Sequence, residues 1–168
     1  MSILITGTPG TGKTTLAKEL SKALSIPHIE VSKYIKTHKF YQEYNADYDT
    51  LILDDENEDK LLDNLEQELK KPHVIDFHTS ELFPKRWFDI VVVLRVKTDV
   101  LFDRLVQRGY EERKVQENVE CEIMNVCLDE ALECYDDVLV LDNNTEAEKR
   151  TNLQIIEERV RIIEELKK

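Results

Sequence analysis

Residues 7–15 constrain this chain most, since they read GTPGTGKTT and match the pattern G-x-x-x-x-G-K-[ST] at every fixed position. In this pattern the glycines let successive backbone N–H groups face phosphate oxygens, the lysine supplies a positive charge, and the next hydroxyl can ligand Mg²⁺. An apolar run at 3–5 precedes the loop, and residues 13–24 repeat apolar side chains at helical spacing. A strand, a glycine-rich loop and a helix in this order predict a nucleoside triphosphate site rather than a chance Gly/Pro-rich turn.

Five residues of the loop have roles that follow from their chemistry. We expect Lys13 to reach the phosphate that is transferred, and Thr14 to ligand Mg²⁺ through its hydroxyl. The backbone N–H groups of Gly10, Thr11 and Gly12 lie at the predicted helix start, where they can hold the β-phosphate.

Length and composition favour one compact domain over residues 1–168, with 41% hydrophobic residues to build its core. Only six residues precede the phosphate loop, so we expect no signal peptide. No stretch approaches the roughly 18 apolar residues of a membrane helix. We therefore expect a soluble intracellular protein without a membrane partner.

The charge balance bears on macromolecular partners. The chain carries 35 acidic and 23 basic residues, a formal net charge of -12. Binding to a phosphate backbone needs a dense basic surface, so we expect no strong direct nucleic-acid binding, and a basic protein is the favoured partner. An acid excess also simply promotes solubility, and that explanation stays open.

Three cysteines, Cys121, Cys127 and Cys134, fall in one predicted helix. Their number is odd, and no C-x-x-C pair or histidine cluster accompanies them. We interpret them as reduced, small packing residues rather than as a redox or zinc site.

Five apolar runs typical of strands recur along the chain, and helical patterns separate most of them. The runs lie at 3–5, 28–31, 73–76, 90–95 and 138–142. Helices are predicted near 13–24, 32–39, 57–71, 98–108, 116–135 and 146–167, the last with Thr145 as its N-cap. The run at 90–95 is apolar almost throughout, as in a strand buried on both faces. The alternation predicts an α/β fold with a parallel sheet covered by helices.

Several short motifs, taken in order and spacing, resemble the adenylate kinase isoenzyme 6 family, small adenylate kinases linked to assembly of the small ribosomal subunit. The motifs are GTPGTGKTT at 7–15, DFH at 76–78, FPKRWF at 83–88, VLR at 93–95, RLVQRGY at 104–110 and ENVECEI at 117–123. The resemblance covers nearly the whole chain, although only the first motif is specific by itself.

The resemblance implies a P-loop kinase fold, in which helices sandwich a five-stranded parallel sheet. It implies a short monophosphate-binding arm at about 30–53 and a short lid at about 107–117. The implied reaction moves the γ-phosphoryl group of MgATP to AMP or another nucleoside monophosphate. A small-subunit ribosomal protein as partner, a monomeric state, and a location in nucleus and cytoplasm are implied as well.

Two acids compete for the Mg²⁺ shell, because Asp76 and Asp142 each close an apolar run. The residues alone leave both open. The resemblance favours Asp76, since DFH at 76–78 is similar to the D-x-H form of the Walker B element. It also gives His78 a catalytic role in orienting water or phosphate, with an ordinary turn residue as the alternative.

Two arginines, Arg104 and Arg108, are four residues apart and share a helix face. By resemblance the first lies against adenine and the second contacts phosphate, so that Arg108 joins Lys13 in catalysis; a solvated basic face is the alternative. Resemblance also places Thr15 with the ATP-binding residues. Thr145 is a candidate contact at the adenine edge, although its role as a helix cap explains it equally.

The acceptor side departs from the family pattern. Lys36 stands where relatives tend to have Arg, and lysine lacks the planar two-point contact that arginine makes with phosphate. We therefore expect weak AMP affinity, or a phosphate held by Arg86 or Arg95 instead. Tyr44 is a candidate contact to the monophosphate within the arm, with packing of an irregular loop as the alternative.

Three functions compete at this point. An adenylate kinase leads, with some ATP hydrolysis expected because a short lid excludes water poorly. The second is an ATP-driven assembly factor acting on a basic ribosomal protein, with little kinase turnover. Direct nucleic-acid binding comes third, because no basic stripe interleaved with aromatic residues is present.

Overall fold

The computed structural model describes residues 1–45 and 50–168, with side chains described for residues 1–43 and 52–168. Its centre is a five-stranded sheet in the order β2-β5-β1-β6-β7, and every neighbouring pair is parallel. These strands are β1 (Ile3–Thr6), β2 (His28–Glu30), β5 (Val74–Asp76), β6 (Ile90–Arg95) and β7 (Val138–Asp142). A separate hairpin pairs β3 (Glu43–Asn45) with β4 (Thr50–Ile52). The predicted fold class is confirmed.

Within residues 1–45 and 50–168, seven helices and a 3₁₀ turn surround the sheet. The helices are α1 (Lys13–Leu24), α2 (Val31–His38), α3 (Asp55–Glu68), α4 (Thr98–Gln107), α5 (Glu112–Ile123), α6 (Val126–Cys134) and α7 (Glu146–Leu166), and the 3₁₀ turn is Lys85–Trp87. Thr145 caps α7 through a capping box with Glu148. Asp54 caps α3 and accepts a hydrogen bond from the backbone N–H of Asn57.

Alternate residues of the central strands face two separate cores. On one face, Ile3 and Ile5 pack with α1 and α7. On the other face, Leu4 packs with α2, α3 and α6. Strands that are covered on both sides need apolar residues at every position, which explains the continuous run of β6. The two layers hold the carboxyl ends of β1 and β5 together at one edge of the sheet.

The helix predicted at 116–135 is wrong as a single element. The chain forms α5 and α6 instead, and Asn125 stands between them with φ 58°. Asparagine tolerates this left-handed conformation better than most residues, so the break costs little. The break places Cys121 in α5, whereas Cys127 and Cys134 belong to α6. These cysteines are free and partly buried.

The segments predicted as arm and lid are short. The arm region contains α2 and the β3–β4 hairpin, which the sequence pattern did not indicate. Residues 108–111 connect α4 to α5, so that most of the segment predicted as lid is the first half of α5. None of the helices within the described ranges combines the length and apolar character needed to cross a membrane.

Candidate active site

The phosphate loop connects β1 to α1 at the carboxyl edge of the sheet. Gly10 and Gly12 have φ values of 98° and 95°, which favour glycine. A Cβ on Gly10 would lie 2.7 Å from Cδ1 of Leu101, and one on Gly12 would lie 2.5 Å from Nδ2 of Asn143. The loop therefore needs glycine at both positions for conformation and for space, and Thr11 between them is buried.

Lys13, the first residue of α1, folds back over the loop. Its Nζ donates to the backbone oxygens of Gly7 at 2.7 Å and Thr8 at 3.1 Å. Burial lowers the pKa of Lys13 to about 8, although the charge of Asp76 acts in the opposite direction. The charge of Arg108, a residue exposed after α4, also acts to lower this pKa.

Thr14 and Asp76 meet beside Lys13. The hydroxyl of Thr14 donates to Oδ1 of Asp76 at 2.8 Å, and Asp76 is only 4% exposed. The other carboxylate oxygen, Oδ2, lies 2.5 Å from Nε2 of His28 on β2. Because a carboxylate accepts only, Nε2 of His28 is the donor. Asp142, the alternative in the sequence, is exposed at the end of β7.

The pair of Thr14 and Asp76 suits Mg²⁺, since it offers a hydroxyl and a carboxylate oxygen in contact. Mg²⁺ typically takes one or two protein oxygens and completes its shell with water and substrate phosphates. No group of three or more histidine, cysteine, aspartate or glutamate side chains in the described part of the chain forms a metal cage. The residues present therefore fit a magnesium ion that arrives with a nucleotide.

His78 follows β5 on a well-anchored loop. Its backbone oxygen accepts from the hydroxyl of Thr6 at 3.1 Å. The surrounding protein, and then the charge of Lys13, lower the pKa of His78, so that the ring is neutral at pH 7 even though the residue is exposed. Glu130 of α6 accepts from the Ser80 hydroxyl at 2.9 Å and from the Glu81 backbone N–H at 3.0 Å. This anchoring fixes the loop that carries His78.

Arg104 joins the phosphate loop to the turn after β7. Its guanidinium donates to the backbone oxygens of Asn143 at 2.8 Å, Asn144 at 2.9 Å and Gly10 at 3.4 Å. The Asn143 side chain reaches back to the backbone oxygen of Thr11 at 2.7 Å. The predicted adenine side is therefore tied to the phosphate loop by side-chain to backbone hydrogen bonds.

Two weaker candidates for ATP contact, Thr15 and Thr145, lie at helix starts. Thr15 is exposed in the first turn of α1, and Thr145 is occupied as the cap of α7. Their contact with ATP stays a prediction.

The residues predicted to bind the acceptor monophosphate lie on different elements of the fold. Lys36 is exposed on α2, and Arg86 is 72% exposed in an ion pair with Glu66. Arg95 instead donates from Nε to Oε1 of Glu122 at 2.5 Å. The side chain of Tyr44 lies outside the described residues. The structure thus brings Lys13, Thr14 and Asp76 together, whereas Lys36 and Arg86 lie exposed on separate elements.

Sequence reasoning missed three residues of the site, namely His28, Asn143 and Glu122. Glu122 is 3% exposed and accepts from the hydroxyl of Thr8 at 2.5 Å. One signal was available, because Glu122 lies at helical spacing from the apolar Val115 on the same face of α5. His28 and Asn143 carried no comparable signal, since their contacts cross between strands and loops far apart in sequence.

The sequence of the chain is similar to those of several known proteins. Residues 3–125 match the AAA domain family. An adenylate kinase isoenzyme 6 homolog from Caenorhabditis elegans is 44% identical over 160 residues, which cover 92% of this chain and 86% of that protein. A homolog of the same name from Drosophila melanogaster is 38% identical, covering 92% and 89%. A putative adenylate kinase from Methanocaldococcus jannaschii is 40% identical, covering 78% and 72%.

Solved structures agree on the fold. Shikimate kinase from Bacteroides thetaiotaomicron matches with a TM-score of 0.62 at 18% identity, covering 96% of this chain and 98% of that one. Deoxyadenosine kinase from M. mycoides matches with a TM-score of 0.59 at 18% identity, covering 97% and 100%. At these identities the likeness concerns the fold alone, which is that of the P-loop kinases. From the sequence relatives it follows that the chain belongs to the adenylate kinase isoenzyme 6 family.

Proposed function

We propose that the protein transfers the γ-phosphoryl group of MgATP to AMP and so forms two molecules of ADP. The observation that carries this proposal is the contact of Thr14 with Asp76 beside Lys13, at the carboxyl ends of β1 and β5. The names of the relatives, adenylate kinase isoenzyme 6 homolog and putative adenylate kinase, support the same reaction.

The chain contributes position and charge to this reaction. Phosphoryl transfer needs donor and acceptor in line and cations near the oxygens where negative charge accumulates, and it asks for little covalent chemistry from the protein. Lys13 and Arg108 supply cations. The N–H groups of Gly10, Thr11 and Gly12 supply dipoles at the start of α1. Thr14 and Asp76 would hold a bound Mg²⁺, which would supply positive charge to offset that of the phosphates.

His78 orients the reacting groups in this proposal. Its ring is neutral at pH 7, so one ring nitrogen can accept a hydrogen bond while the other donates. The loop that carries it is anchored two and three residues beyond His78, where Ser80 and Glu81 donate hydrogen bonds to Glu130.

The acceptor would lie between α2 and the loop after β5, with Lys36 nearest to its phosphate. Because a lysine makes a single-point contact with phosphate, we expect weaker AMP binding than the bidentate contact of an arginine would give. A coupled assay of ADP formation with AMP, CMP, dAMP and GMP tests the proposal. If no monophosphate accelerates ADP formation beyond hydrolysis, the kinase assignment fails.

An accompanying ATPase activity forms a second part of the proposal. The segment that the resemblance implies as lid spans only about residues 107–117, and α5 already begins at Glu112. A short lid leaves water access to the γ-phosphate, and water then competes with the acceptor. Because water can reach the γ-phosphate, we expect ATP hydrolysis without AMP at more than about a thousandth of the kinase rate. A slower rate would contradict this part.

A role in assembly of the small ribosomal subunit is the second candidate function. The observation in its favour is the formal charge of -12, which suits a basic protein partner. We propose a small-subunit ribosomal protein as that partner, a monomeric enzyme, and residence in nucleus and cytoplasm. In this role, binding of the partner should depend on the bound nucleotide. A pull-down with ATP, with ADP and without nucleotide tests this. Partner binding that is the same in all three conditions and in the Lys13→Met variant would count against the role.

A further inference from the structure

We propose that Glu122 is a positioning residue of the ATP site, and that it couples α5, whose first half belongs to the predicted lid, to the phosphate loop through the hydroxyl of Thr8. This inference rests on the proposed ATP chemistry. It concerns a residue outside the glycine-rich motif, 114 positions from Thr8 in the chain.

The carboxylate of Glu122 is buried and fully engaged. Its Oε2 accepts from the Thr8 hydroxyl at 2.5 Å. Its Oε1 accepts from Nε of Arg95 at 2.5 Å and from the backbone N–H of Val96 at 3.3 Å. A charged group in so dry a place is tolerated only when it is paired and hydrogen-bonded, and both conditions hold here.

Arg95 makes this arrangement compatible with a phosphate site. A lone carboxylate beside the loop would repel the incoming triphosphate. Arg95 offsets that charge, and it also donates from Nη2 to the backbone oxygen of Glu122 at 3.0 Å. The same pairing explains why Arg95 is engaged at the donor side, although the sequence suggested a contact with the monophosphate.

Thr8 connects Glu122 to the rest of the phosphate loop through the hydrogen bonds of its backbone oxygen. The backbone oxygen of Thr8 accepts from the backbone N–H of Thr11 at 3.2 Å and from the Thr11 hydroxyl at 2.9 Å. It also accepts from Nζ of Lys13 at 3.1 Å. Fixing the Thr8 side chain therefore fixes the carbonyl that organises the residues which face phosphate.

The position of Glu122 in α5 gives the contact a role beyond packing. The helix starts at Glu112, directly after residues 108–111, and Glu122 is its last residue but one. A single helix thus connects the segment predicted as lid with the contact at Thr8. A movement of the lid would therefore shift the position of Thr8. By the same coupling, nucleotide binding at the phosphate loop would shift the position of the lid.

The test is a double-mutant cycle on MgATP binding, measured by calorimetry on the full chain. We expect Thr8→Val and Glu122→Gln each to weaken MgATP binding about tenfold, the effect of losing one hydrogen bond to a charged group. Both variants disturb the contact between Thr8 and Glu122, although Glu122→Gln also alters the pair with Arg95. The double variant should therefore be weakened by clearly less than the product of the two single effects. AMP affinity should change less than about twofold in all three, since the contact lies on the donor side.

The controls separate positioning from general stability. Glu120→Gln alters an exposed acid on the same helix and should leave MgATP binding unchanged. Thr8→Ser keeps the hydroxyl and should restore most of the affinity lost in Thr8→Val. If Glu122→Gln does not fold, the two Thr8 variants decide the matter, since they leave the pair of Glu122 and Arg95 intact.

Two results would overturn the inference. One is a set of effects on MgATP affinity that multiply in the double variant, which would mean that Thr8 and Glu122 act separately. The other is unchanged MgATP affinity with only a lower melting temperature, which would mean a structural role. If the unaltered protein binds no MgATP, the proposed function itself fails, and the inference falls with it.

Discussion

The donor side and the acceptor side of the site are built in different ways. Lys13 donates to backbone oxygens of its own loop, and Thr14 donates to the buried Asp76, 62 positions away in the chain. Lys36 and Arg86, in contrast, are exposed on α2 and on the 3₁₀ turn. The donor groups lose their side-chain freedom on folding, whereas exposed cations lose it when substrate binds. We therefore expect mutations on the donor side to have the larger effects.

The largest effect is expected for Lys13→Met. Removing a preorganised cation from the transferring phosphate should reduce kcat by about a thousandfold, because this charge acts where negative charge develops. Steady-state ADP formation measures it. Lys18→Met on the same helix is the matched control, since Lys18 is exposed. If Lys13→Met keeps a tenth of the original kcat, the donor side would not have the larger effects that distinguish it from the acceptor side.

The second effect concerns the two candidate acids. Asp76→Asn should lower kcat about a hundredfold at fixed magnesium, with partial recovery as magnesium is raised, because one metal-holding charge is lost. Asp142→Asn should change kcat less than about twofold, since Asp142 is exposed away from Thr14. Titration of activity with magnesium compares them. Equal losses in both variants would contradict the position given to the metal.

A smaller effect is expected at His28, which orients the carboxylate of Asp76. His28→Ala should raise the magnesium concentration needed for half-maximal activity about tenfold, because the carboxylate that holds the metal loses a supporting hydrogen bond. His28→Gln retains a donor and should recover part of the loss. The magnesium concentration that gives half-maximal activity is the measurement. Identical behaviour of the alanine and glutamine variants would show that His28 acts through packing.

The smallest effect should come from the acceptor side, and it should be a gain. Lys36→Arg introduces a planar group that can make two hydrogen bonds to one phosphate, so KM for AMP should fall about threefold. Lys39→Arg, one turn further along and equally exposed, should leave KM unchanged. An unaltered KM in the Lys36→Arg variant would mean that α2 does not present this position to the monophosphate.

Much of the donor side could be predicted from the sequence, because its groups follow the order of elements. The GTPGTGKTT stretch fixes where β1 ends and α1 begins, and Asp76 closes the neighbouring strand of the sheet. In a parallel sheet such strand ends meet at one edge. The family, recognised from the resemblance of several motifs, and the five-stranded sheet that the resemblance implied are confirmed.

The remaining features depend on contacts that leave no local pattern. The break at Asn125 needs one residue in a left-handed conformation, and a continuous helical pattern conceals it. The strands of the β3–β4 hairpin have three residues each, too few for alternation to be visible. The partners of His28 and Glu122 lie 48 and 114 positions away, so folding alone brings them together.

The fate of the γ-phosphoryl group tests the central claim most directly. ATP that carries radioactive phosphorus only in its γ-phosphate is incubated with the protein, magnesium and AMP, and the products are separated. We predict that most of the label appears in ADP and a smaller part in inorganic phosphate. Label in inorganic phosphate alone, at a rate that AMP does not change, would contradict phosphoryl transfer and leave ATP hydrolysis as the reaction of this site.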